Sequence, residues 1–152
     1  MKKILFFLLV SCMVSCINNS STNITGTTLK TIKVSVPASK WQYSNQGSNN
    51  YFYAFVEVPE ITKTIFDKGE VKAYLVQDRH DNYYARKNLL PYVMHKETTD
   101  LNGDWIFYTE TVDFTYGIGW VEFNFRASDF AYELNTAINP EGMEFDVVIT
   151  KP

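Results

Sequence analysis

Stretches that alternate apolar and polar side chains with a period of two recur along this chain, and that period decides its fold class. In TIKVSV, Ile32, Val34 and Val36 point one way while Thr31, Lys33 and Ser35 point the other, and Pro37 ends the run. Val71, Ala73 and Leu75 repeat the pattern, as do Val121, Phe123 and Phe125 in WVEFNFRA. Met143, Phe145, Val147 and Ile149 alternate along the last strand. YFYAFVEV differs. Phe52, Ala54, Val56 and Val58 form one face and Tyr51, Tyr53, Phe55 and Glu57 the other, so both faces are largely apolar and a central strand is expected.

The punctuation between these runs suits antiparallel pairing. Asn102-Gly103 is the strongest short hairpin signal, and the long strand WIFYTETVDF leaves it. A second turn at residues 116–119 returns the chain into WVEFNFRA. LLPYVMHK reads as a strand interrupted by Pro91, hence an edge or a bulge. One helical pattern exists, ITKTIFDKG after Pro59-Glu60: proline and an acid suit a first turn, Gly69 suits the stop, and Ile61, Ile65 and Phe66 make an apolar stripe. Residues 38–50 and 128–142 read as turn-rich loops, and QDRHDNYYARKN as a charged loop.

About seven strands and one short helix, with turns at this spacing, predict an all-β, antiparallel, immunoglobulin-like sandwich over residues 29–152. A partly open barrel is the second expectation. A parallel α/β fold is excluded, because the helices needed to cover a parallel sheet are absent.

Ahead of this domain stands MKKILFFLLVSCMVSC, with Lys2 and Lys3 as a positive start and Ile4 to Val10 as an unbroken apolar run. Small residues then lead into cysteine. The layout is that of a secretory signal, and the run is far shorter than the ~20 residues that span a bilayer. Leu9-Val10-Ser11-Cys12 and Met13-Val14-Ser15-Cys16 both resemble a bacterial lipobox. That resemblance implies a diacylglyceryl thioether on the cysteine sulfur, cleavage just before the cysteine, and a further acyl chain such as palmitate on the freed α-amine.

A thiol is the nucleophile such chemistry needs. Cleavage before Cys12 would strand Cys16 as a free exported thiol, whereas cleavage before Cys16 would not. Cys16 is therefore the favoured lipidation site, with residues 1–15 as signal and 16–28 as a polar Asn/Ser/Thr-rich tether. Two or more acyl chains hold a protein stably on a membrane. No aspartate follows Cys16, which by the same resemblance favours the outer membrane; no acidic cluster follows either, which favours its periplasmic face.

Loss of 15 of the 152 residues removes Lys2 and Lys3 and moves the net charge from −3 to about −5. That balance argues against nucleic acid, which wants a clustered basic face. No residues of the sequence demand a cofactor, and the enzyme signatures are weak. G-x-S-x-G is absent, and neither cysteine is free. The acids Glu57 with Glu60 and Glu144 with Asp146 sit at a spacing common on surface strands. Asp100, Asn102 and Asp104 superficially suit Ca²⁺, but glycine falls fourth rather than sixth and Thr111 stands where a bidentate Glu belongs. Asp78, His80 and Asp81 lack a fourth ligand nearby, since His95 lies elsewhere, and a solvated loop is the better reading.

The aromatic fraction, 16 %, raises one binding possibility. Tyr53, Tyr74 and Trp120, with Tyr51 and Phe55, fall on strand faces turned away from the first core. Ordinary burial against the helix, a loop or a partner is the expectation, because large exposed apolar patches are uncommon. Were they exposed on one sheet, they would form a platform for stacking sugar rings.

At PEITKTIFDKGEVKAYLV, at LPYV and at the terminal MEFDVVIT, the chain resembles a family of small uncharacterised lipoproteins of gut-type Gram-negative bacteria. Val58 to Thr62, Gly69, Leu90 to Val93 and Met143 to Val148 carry the likeness. The resemblance implies lipid anchoring and a β-sandwich, and no catalytic residue. The expected role is a non-enzymatic binding or structural module of the outer membrane, with a glycan or another envelope protein as its candidate partner. A glycan-binding accessory of polysaccharide uptake is the alternative, and a hydrolase comes last.

Overall fold

The period-two runs become strands of two facing five-stranded sheets in the computed structural model, which describes residues 18–24, 27–46, 49–79, 85–99, 102–128 and 140–152. In chain order these are β1 (Asn18–Ile24), β2 (Thr27–Val36), β3 (Gln42–Gln46), β4 (Asn49–Glu57), helix α1 (Lys63–Lys68), β5 (Glu70–Gln77), β6 (Arg86–Leu89), β7 (Tyr92–Thr99), β8 (Trp105–Gly117), β9 (Trp120–Ala127) and β10 (Met143–Thr150). The first sheet runs β1-β2-β10-β5-β6 and the second β3-β4-β9-β8-β7. The strand pairs are antiparallel, so the fold is an all-β sandwich.

Its core is the inward half of each alternation. Phe123 of β9 and Phe145 of β10 stack with ring centroids 3.8 Å apart and planes 12° apart, joining the middle strand of one sheet to the middle strand of the other. Ile32, Val34, Val112, Val121, Val147 and Ile149 surround them, all essentially buried. Each such side chain is worth about 1.5–3 kcal/mol relative to exposure. Val71, Ala73 and Leu75 point inward from β5, as the alternation predicts.

Among the described residues ten strands stand where about seven are expected, and the additions have one character. Asn18–Ile24 falls in the stretch whose composition reads as a tether, yet it pairs with β2 along Asn18↔Lys33 to Ile24↔Thr27. Gln42–Gln46 and Arg86–Leu89 lie in stretches read as loops, yet they pair with β4 and β5. All three are edge strands. An edge strand has one partner and need present no apolar face, so polar composition does not separate it from coil. β4 is accordingly flanked on both sides, by β3 and β9, while β9 and β10 are the middle strands. Pro91 marks a change of sheet: β6 before it belongs to the first sheet and β7 after it to the second.

Two turns form where glycine predicts them. Gly103 and Gly119 adopt φ of +88° and +85°, the left-handed region open to glycine. The helix starts later than the proline suggests. Thr62, not the Pro59-Glu60 pair, caps α1, its Oγ1 accepting from Ile65 N at 3.4 Å, and Gly69 N closes it on Ile65 O at 2.8 Å. Ile61 and Ile65 are buried, but Phe66 is 47 % exposed and meets Tyr116 only edge-on at 6.0 Å.

The sandwich has two distinct ends. At one, Gly119 N donates to Ile61 O and the carbonyl of Gly119 accepts from Val58 N, both at 2.8 Å, tying the β8–β9 turn to the approach to α1. The other end holds the C-terminus of β2, paired there to the start of β10, and a cleft of about 620 Å³ lined by the end of β5, the start of β10 and the β7–β8 pair.

Candidate functional site

Alternation along β4 sets Tyr51, Tyr53 and Phe55 on one side, and the core takes Phe52 and Ala54. Successive members of the row stand roughly 7 Å apart, two residues of strand rise. Register across the second sheet brings the matching face of β9 alongside: Tyr53↔Asn124, Phe55↔Glu122 and Glu57↔Trp120. Trp120 thereby reaches Phe55, their rings stacked at 5.5 Å with planes 30° apart. Tyr51 and Tyr53 form a tilted pair at 6.1 Å. Phe55 is 55 % exposed, and Tyr51, Tyr53 and Trp120 are half-buried.

Polar groups are interleaved with these rings. Tyr53 Oη donates to Gln42 Oε1 at 2.8 Å. Asn124, only 2 % exposed although it lies on the outer face, donates from Nδ2 to Asp113 Oδ1 at 2.9 Å. Arg126 sets its guanidinium over the Tyr51 ring at 5.2 Å and its Nε 3.8 Å from Asp113 Oδ2. The result is a sheet surface with two aromatic pairs and donors and acceptors held in fixed positions beside them.

Gly117 completes this face. It pairs with Trp120, and a Cβ built on it would stand 2.5–2.7 Å from Cε2, Cζ2 and Nε1 of the indole. Only glycine lets the Trp120 ring lie against β8. In the sequence Gly117 reads as part of a turn, so its role as a bed for the indole is visible only once β8 and β9 are in register.

The predicted aromatic trio is not one site. Tyr53 and Trp120 share the outer face of the second sheet, but Tyr74 of β5 lies on the first sheet, opposite Asp146 and Leu89. The period of two gives a face within a strand but not the sheet that the strand joins. The expected burial is also only partial: the exposed Phe55 and its half-buried neighbours are not packed away beneath α1.

A charged cluster occupies the outer face of the first sheet. Asp146 is 1 % exposed, with Arg79 Nη2 2.8 Å from Oδ1 and Lys87 Nζ 2.7 Å from Oδ2. Arg79 also donates to the carbonyl of Phe145 at 2.9 Å and sets Nε 3.1 Å from Glu144. Burial pushes the Asp146 carboxyl up, but the bonds from Lys87 and Arg79 outweigh it and hold the group below the usual carboxylate range. Glu144 and Asp146 are thus ion-paired rather than poised as an acid and base. Of the other two candidate acids, Glu60 meets Lys30 at 2.9 Å, and Glu57 stands exposed opposite Trp120. Arg79 lies in a segment that reads as a solvated loop, and nothing local in the sequence betrays its partner 67 residues away.

His95 stands exposed on β7. Asn102, Gly103 and Asp104 form the hairpin turn, while Asp100, His80 and Asp81 lie outside the described residues, as do Cys12 and Cys16. Among the described residues, no group of three or more His, Cys, Asp or Glu side chains is placed to hold a metal ion. Beside this geometry, neither a family model, nor a curated protein, nor a solved structure matches the chain.

Proposed function

We propose that this chain is a non-enzymatic binding module of the cell envelope, held on the periplasmic face of the outer membrane by acyl chains on Cys16. We further propose that it takes a glycan on the outer face of its second sheet. The observation that carries the ligand reading is the shared face of Tyr51, Tyr53, Phe55 and Trp120, with Gln42, Asp113 and Arg126 interleaved and Asn124 buried beneath as a support for Asp113. Sugar rings present apolar C–H faces and equatorial hydroxyls together. They therefore suit flat aromatic side chains set beside fixed hydrogen-bonding groups. Bases also stack on aromatics, but Glu57, Asp113 and Glu122 share this surface and would repel phosphate. The signal layout and the lipobox ending at Cys16 support the anchor.

Glycan-array binding of the full-length protein in detergent micelles tests the ligand. Tyr53→Ala and Trp120→Ala are each expected to weaken the best hit about tenfold, the effect of roughly 1.4 kcal/mol of lost stacking. Tyr74→Ala, on the other sheet, is expected to leave it unchanged. A flat array, or equal binding by all three variants, would remove the glycan reading.

A further inference from the structure

The β7–β8 pair extends past the end of β9. Strand β9 pairs with β8 only from Ala127↔Glu110 onward, whereas β7 stays paired to the tip, through Lys96↔Tyr108, Glu97↔Phe107, Thr98↔Ile106 and Thr99↔Trp105. Residues 105–108 therefore have one strand partner among the described strands, and at ~3.3 Å per residue this ribbon reaches out roughly 13 Å. It carries the two most exposed large apolar side chains among the described residues, Phe107 at 75 % and Trp105 at 65 %. A two-stranded ribbon gains little from leaving such rings in water.

The place where the chain enters the domain says what would cover them. Asn18 pairs with Lys33, close to the C-terminal end of β2, and β1 runs from there toward the helix end. Met143, the β10 partner of Val36 at that end of β2, lines a cleft with Met94, Lys96 and Glu110, from which the ribbon projects. The segment preceding β1 thus joins the domain at the ribbon's end of the sandwich. In the sequence only Ile17 separates Asn18 from Cys16.

We propose that the tip of the β7–β8 ribbon docks into the lipid bilayer, with Trp105 and Phe107 at the headgroup level. This rests on the reading of Cys16 as the acylated residue: acyl chains fixed two residues before β1 turn this end of the sandwich toward the membrane. Tryptophan and phenylalanine are suited to that interface, an apolar ring entering while the indole N–H stays hydrated. Glu97, opposite Phe107, is exposed, so the contact is apolar rather than an attraction to anionic lipid. The tip thereby fixes the orientation of the aromatic sheet face relative to the membrane, which acyl chains alone would leave free to swivel.

The test uses the full acylated protein reconstituted in phosphatidylcholine vesicles whose chains carry bromine near the carbonyl, a quencher of tryptophan emission. Wild type is expected to float with the vesicles and to be quenched, and Trp105→Phe to float equally but lose the bromine-sensitive part of the emission. Trp41, buried, and Trp120, at the other end of β9's sheet face, are expected to contribute none of it. Flotation with identical quenching of both proteins, or with none, overturns the docking while leaving the anchor intact. Failure to float overturns the anchor and the docking with it. A concentration-dependent dimer in detergent that Phe107→Ser abolishes would mean that a second copy covers the tip, and also overturns the proposal.

Discussion

Asp146 shows how one residue escapes its own pattern. It sits between Phe145 and Val147 in a strand whose alternation assigns it to solvent, yet Arg79 closes over it. Its carboxyl is held below the ordinary range, so the folded state releases this proton more readily than the unfolded chain does. The resulting stabilisation is present above the unfolded value, roughly pH 4, and is lost as pH falls through the lower folded value. Asp146→Asn is expected to cost about 2 kcal/mol at pH 7, near the worth of hydrogen bonds to charged groups. The loss stays moderate because Lys87 is more than half exposed and Arg79 keeps Glu144. Urea unfolding at pH 7 and at pH 3 measures this, the gap between the two proteins narrowing at the lower pH. Gly117 gives the second prediction at this scale. Gly117→Ala pushes a methyl into the Trp120 indole and is expected to reduce glycan binding about tenfold, as loss of the ring would. Its near-ultraviolet circular dichroism should change at the tryptophan bands while the far-ultraviolet spectrum holds.

At the scale of elements, the segments with a buried face were legible and those without one were not. β2, β5, β9 and β10 each bury one side of an alternation, and the period alone located them. The Asn102-Gly103 and Ile118-Gly119 turns followed from the need for positive φ at glycine. β1, β3 and β6 were missed because hydrogen bonding to a single neighbour leaves no mark on composition. Which sheet each strand joins was equally silent, and that is why Tyr74 parted from Tyr53 and Trp120. α1 is short enough that its ends matter more than its faces. A Cβ on Gly69 would meet Thr150 O at 2.7 Å and Ile65 O at 2.9 Å, backbone atoms of β10 and of the helix itself. Neither can swing aside as a side chain would. Gly69→Ala is therefore expected to cost about 1–3 kcal/mol, the usual range for overpacking, read as a lowered denaturation midpoint with an unchanged slope. A cost below 0.5 kcal/mol would show that the last turn of α1 yields easily.

For the whole molecule, the choice of cysteine for the proposed acyl chains decides how the sandwich would meet the membrane. Read from composition, residues 17–28 would hold the domain on a loose tether; with Asn18–Ile24 paired to β2, almost none of that slack is left. From Cys16 to Asn18 is two residues, a reach of at most ~7 Å, and from Cys12 it is six, at most ~22 Å. Under the proposed acylation, the first distance would set the ribbon end against the headgroups, and the second would let the domain tumble clear of them. The two cysteines thus imply different molecules, and a label separates them. In cells fed radioactive palmitate, Cys16→Ser is expected to take up no label and to persist as the longer precursor, while Cys12→Ser is labelled and matured like wild type. The reverse pattern would place the acyl chains on Cys12 and leave Cys16 as a free thiol in the exported chain. It would also release Trp105 and Phe107 from any obligation to face the bilayer, because a leash of six residues no longer chooses which end of the sandwich points down.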